Sequence, residues 1–110
     1  MKLPNRESVY IPSSKLVDYL LSRTHAVGKS KARFFRKFGF DETNVDILEQ
    51  DLKKIAQKNE ITQQVSVFHG EKYIIDGVLE TPIGRNMNIR TVWIIEKDEI
   101  NPRFVTAYPV

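Results

Sequence analysis

The sequence predicts an α+β fold in which about three helices precede and pack on a four-stranded antiparallel sheet. Three observations carry that expectation. Apolar residues recur at helical spacing before residue 60 and at alternate positions after it. Clusters of turn-forming residues punctuate both kinds of run. The alternating runs follow one another through short connections, which suits an antiparallel meander. The 110 residues are expected to form one domain, with a helical half over 13–59 and a sheet half over 61–109.

Tyr10-Ile11-Pro12 is expected to be an extended lead-in, with Ser13 or Ser14 capping the first helix through its hydroxyl. Leu16, Val17, Leu20 and Leu21 form that helix's buried face. Arg23 to Gly28 breaks the pattern and is read as a loop. A second helix follows over about Lys29–Phe38, with Ala32, Phe35 and Phe38 on one stripe, and Gly39 supplies a left-handed terminator. Capping residues at 41–44 introduce a third helix whose apolar face is Val45, Leu48, Leu52, Ile55 and Ala56. Glu49 and Lys53 form an i,i+4 pair on its wet side, and Asn59 stops it.

From Ile61 the period becomes two. Ile61, Val65 and Val67 alternate with Thr62, Gln64 and Ser66, the pattern of a half-buried strand. His69-Gly70-Glu71 is the expected turn into a second strand, where Asp76-Gly77 is a candidate bulge. Thr81-Pro82-Ile83-Gly84 is a turn. The third strand, about Met87–Glu96, puts Ile89, Thr91, Trp93 and Ile95 on one face and Asn88, Arg90, Val92 and Ile94 on the other. Arg103–Tyr108 is the last strand, ended by Pro109. Thr106 and Tyr108 share a face; pairing Arg90 with Tyr108 brings all three together, and a one-residue slip separates them.

There is no cysteine, so disulfides, thiolate-bound metals and cysteine nucleophiles are excluded. Two histidines without a ligand-spaced partner give metal chemistry little support, and no cofactor motif is present. No apolar run reaches the roughly 20 residues that span a bilayer, and the polar start carrying Pro4 does not resemble a secretory signal. No membrane partner and a cytoplasmic location are the expectations.

The net charge of +3 is unevenly spread: residues 1–40 carry nine basic residues against Glu7 and Asp18. No acid lies between Asp18 and Asp41, while Arg23, Lys29, Lys31, Arg33, Arg36 and Lys37 do. That field suits an anionic partner, although a solvated helix also carries charge.

Gly28-Lys29-Ser30 is not a nucleotide-triphosphate loop, because Arg23 stands where that motif needs glycine and a helix stands where it needs a strand. A glycine leading into a basic helix remains a place to hold a phosphate. His25, beside Arg23 and near Lys29 and Lys31, can exchange protons near neutrality; the alternative is a surface histidine without a task. Arg90 is a long cation on the face opposite Trp93, there for a ligand or for solvent.

Thr24-His25, Gly28, Lys31-Ala32, Phe34-Phe35, Gly39-Phe40, Gly70, Lys72-Tyr73, Pro82, Gly84, Arg90-Thr91-Val92-Trp93 and Val105-Thr106-Ala107-Tyr108-Pro109 form a spaced pattern over about residues 8–109. It resembles that of a family of small bacterial toxin-associated domains ending in Thr-Ala-Tyr-Pro. That family is similar to the barnase–EndoU–colicin–RelE nuclease group, whose helices also precede a four-stranded antiparallel sheet. The resemblance implies metal-independent RNA cleavage, with RNA and an antitoxin or immunity protein as partners. It implies His25 as acid or base, Lys31 and Arg90 as stabilisers of the charged phosphorane, and Thr106 as a phosphate-positioning group. Tyr108 would stack on a base or donate a hydrogen bond, and Lys29 and Arg33 would guide the backbone. Two other readings fit the charge: a non-catalytic module that binds nucleic acid or an acidic protein, and an enzyme acting on a small phosphorylated metabolite.

Overall fold

The computed structural model describes residues 1–22, 24 and 29–110, with Lys29 and Ser30 described by backbone alone. Helix α1, Ser13–Lys15, runs into a π-helical stretch, Leu16–Leu20. Then come α2 (Lys29–Lys37), α3 (Val45–Lys58), β1 (Gln63–Val67), β2 (Gly70–Glu80), β3 (Asn86–Glu96) and β4 (Arg103–Pro109). The strands form one antiparallel sheet in the order β1-β2-β3-β4. Helices first and an antiparallel meander second is the predicted arrangement.

The first helix departs from its expected form. Leu21 N–H reaches back five residues to the Leu16 carbonyl at 2.8 Å. The wider turn keeps Leu16, Leu20 and Leu21 in the core and leaves Val17 43% exposed. Neither serine caps it: Pro12 occupies the N-cap position without a side-chain cap bond, and Ser13 is already helical. The loop expected after it, with Arg23, His25 and Gly28, lies outside the described residues except for Thr24.

Helix α2 buries Ala32 and Phe35, while Phe38 is half-buried and stacks on Phe34 at 5.1 Å. Its end is a Schellman motif: Gly39 has φ 97°, its N–H donates to the Arg36 carbonyl, and Phe40 N–H donates to that of Phe35. Helix α3 buries Leu48, Leu52, Ile55 and Ala56, with the Glu49–Lys53 pair at 3.2 Å. These residues pack on the inner sheet face, where Tyr73, Ile75, Leu79, Ile89 and Trp93 are buried. Trp93 meets Phe104 edge-on at 5.2 Å. The N-terminal segment, polar by composition, also sends Leu3, Val9 and Ile11 into the core.

Three sheet expectations need correction. The β1–β2 turn is Phe68-His69, because Val67 and Gly70 are already paired. Strand β1 is exposed almost throughout, with Val65 at 37%, because it is an edge strand lying beyond the helices' cover. The bulge is not at Asp76-Gly77, where β2 and β3 pair without interruption; it lies opposite Val92/Trp93, with Val105 the extra residue.

Candidate functional site

Alternation along a strand and the β3–β4 register together decide which polar groups meet. Arg90 pairs with Tyr108 and Val92 with Thr106, so Arg90, Thr106 and Tyr108 share the outer face. The same alternation across β2 sets Asp76 opposite Arg90. The carboxylate accepts two hydrogen bonds from the guanidinium, from Nε at 2.8 Å and from Nη2 at 2.9 Å. This fork fixes the orientation of Arg90 while both side chains stay about one-third exposed, at 35% and 33%. The hydrogen bond from Arg90 is the main cause holding the Asp76 carboxyl below its usual range, with partial burial opposing it. The same bond, then the Asp76 charge, and finally a side-chain hydrogen bond with Tyr108 keep Arg90 charged well beyond any working pH.

The helical half reaches this face through Tyr19. Its hydroxyl lies 3.2 Å from Thr106 Oγ1. Lys15 Nζ sits over the Tyr19 ring at 5.0 Å from the centroid, and Lys31 Nζ at 5.7 Å. Lys31 and Thr106 therefore converge on one aromatic side chain, and Thr106 continues along β4 to Tyr108 beside Arg90. Arg33 is exposed on α2, and Lys29 opens that helix with its side chain outside the described residues. His25 also lies outside them.

Arg36, part of the same run of positive charge, has a structural task. It donates to the Leu21 carbonyl from Nε at 3.0 Å and Nη2 at 2.6 Å, and to Glu42 Oε1 at 2.7 Å. Sequence reasoning missed Tyr19, Lys15 and Asp76. Tyr19 was hidden beside a leucine stripe, and Lys15, four residues earlier, was the available signal. Asp76 needed the β2–β3 register.

Cations and hydroxyls along one face can hold an oxyanion. Asp76 is a poor base, because the hydrogen bonds from Arg90 hold its carboxyl below the usual range. Among the described residues, Glu96, Asp98 and Glu99 bring carboxylate oxygens within 4.8 Å of one another. Arg103 already binds Glu96 at 2.8 Å and Tyr10 donates to Glu99 at 3.1 Å, so two of these three carboxylates have protein partners.

A chain of a contact-dependent growth inhibition toxin–immunity protein complex from Klebsiella pneumoniae 342 is similar in fold, with a TM-score of 0.73 and 18% sequence identity over 96% of each chain. No curated protein sequence matches. Nearly the whole chain, residues 2–110, matches the Domain of unknown function (DUF6883), and the protein belongs to that family.

Proposed function

We propose that this is a toxin-type ribonuclease-like domain that cleaves RNA without a metal ion and is held in check by an immunity or antitoxin protein. The observation that carries the reading is the joining of Lys31 to Thr106 through Tyr19, on the sheet face that also holds Arg90 and Tyr108. The fold shared with a chain of a toxin–immunity complex adds support. In the reaction the RNA 2′-oxygen attacks the adjacent phosphorus while its proton passes to a base. The phosphorus–5′-oxygen bond then breaks as an acid protonates the leaving oxygen. His25 serves as one proton carrier. Arg90, fixed by Asp76, and Lys31 offset the phosphorane's charge, and Thr106 donates to a phosphate oxygen. Tyr108 contacts a base, and Lys29 and Arg33 guide the strand. A toxin of this kind acts in the cytoplasm, where its RNA is.

The test is incubation of purified RNA with the protein in EDTA, followed by analysis of the ends. The expected products carry 2′,3′-cyclic phosphates. His25→Ala lowers the rate by about 10²- to 10⁴-fold, the usual contribution of a general acid or base. Intact RNA in the presence of well-folded protein would sink the proposal. Salt-sensitive RNA binding that His25→Ala leaves unchanged, without cleavage, would point to a binding module instead.

A further inference from the structure

We infer that Lys15 and Tyr19, with Lys31 shared between the two phosphates, build a second anion subsite next to the one at Arg90 and Thr106, so that the ligand is a single strand of polynucleotide and not a mononucleotide. The inference extends the reading above, and its ground is a separate juxtaposition. Two ammonium groups, from α1 and from α2, lie over one ring at 5.0 and 5.7 Å. Both lysines are half-buried, and among the described residues neither forms an ion pair. The ring attracts each cation, but the two cations repel each other. An anion at the edge of the ring is attracted by both charges at once.

Two features of the surroundings select a strand as the occupant. First, the lysines continue a track: the Tyr19 hydroxyl meets Thr106, and Thr106 leads to Tyr108 and Arg90. Cations at both ends of a run of hydroxyls match a backbone that carries one charge per nucleotide. Second, the lysines occupy the Tyr19 ring, which leaves Tyr108 as the aromatic available to a base. Tyr19 acts as the support that sets the spacing of the two ammonium groups.

The experiment measures binding of a labelled short deoxyoligonucleotide, which lacks the 2′-hydroxyl, across a salt series. Wild type, Lys15→Gln and Lys54→Gln are compared, with thermal melts confirming that all three are folded; Lys54 is exposed on α3. The wild-type log–log slope is expected to become shallower by about 0.7 in Lys15→Gln, the loss of one phosphate contact, and to stay unchanged in Lys54→Gln. An unchanged slope in Lys15→Gln overturns the subsite. So does an equal change in both variants, or a wild type that binds an acidic protein but no oligonucleotide. RNA cleavage by the wild type is scored separately. Slope loss without cleavage keeps the subsite and removes the ribonuclease reading, and cleavage with an unchanged slope does the reverse.

Discussion

Asp76 shows how one carboxylate ties function to stability. Its two hydrogen bonds from Arg90 depress its pKa, so the folded chain binds this proton less readily than the unfolded chain. The resulting stabilisation is fully present above the unfolded value, about pH 4, and is lost as pH falls through the lower folded value. Asp76→Asn keeps the shape and removes the charge. Its urea midpoint should lie below wild type at neutral pH, and the gap should close below about pH 4. A gap that stays constant across that range would mean the pair does not titrate as described. The effect is modest, because water screens a pair that is one-third exposed. Thr91 is the buried counterpart. Its hydroxyl donates to the Ile75 carbonyl at 2.7 Å and accepts from Trp93 Nε1 at 2.8 Å, all within the core. Thr91→Val keeps the volume, orphans the indole N–H and removes the hydroxyl's bond to the Ile75 carbonyl, at a cost of about 1–3 kcal/mol by chemical denaturation. Arg90, a long cation opposite Trp93, was legible in the sequence as a candidate. Its partner was not, because a neighbour on another strand exists only once the register is set.

At the scale of elements, the joint between α3 and β2 rests on an absent side chain. A Cβ on Gly77 would sit 2.7 Å from Asn59 Nδ2 and 2.8 and 2.9 Å from the Cγ atoms of Ile55. The helix closes on the strand there, and Asn59 Nδ2 donates to the Asp76 carbonyl at 3.0 Å. Gly77→Ala should therefore cost about 1–3 kcal/mol through crowding. Adding Ile55→Ala removes the atoms it strikes, so the double variant should be less destabilised than the two single costs combined; strict additivity would refute the contact. The sequence marked Gly77 as special and assigned it the wrong reason. A glycine inside a strand fits a bulge or a close approach, and only the helix above it decides between them. The same limit explains β1. Its alternation was real, but whether an alternating strand is covered depends on where the helices end. The π-helical stretch was illegible in a similar way, since a leucine run of this spacing fits a regular helix and the bond from Leu21 to Leu16, with the exposure of Val17, distinguishes the two.

Across the whole molecule, the helical and sheet halves are held together at more than one place, and these ties differ in kind. Near the candidate site the tie is polar, the bond between Tyr19 and Thr106. Elsewhere the N-terminal segment acts as a clasp. Lys2 bridges to Glu60, Tyr10 pairs with Arg103 on β4, and Leu3 between them is fully buried. A polar composition concealed this, because three well-placed apolar residues suffice to dock a segment whose other side chains face water. The two ties should respond differently to removal. Leu3→Ala empties a buried site and should cost about 2–5 kcal/mol, lowering Tm by roughly 4 °C or more per kcal/mol. Tyr19→Phe deletes the half-buried bond to Thr106 while keeping the ring beneath both lysines, and the loss of that bond should cost about 0.5–1.5 kcal/mol. If the clasp is part of the cooperative unit, Leu3→Ala shifts the urea midpoint without changing the slope of the transition. A Tm within a degree of wild type would mean instead that the segment detaches locally and the core does not depend on it. The polar tie near the candidate site is thus the weaker one, and the hydroxyl's bond to Thr106 can be separated from the support the Tyr19 ring gives both lysines by a substitution that leaves the fold nearly intact.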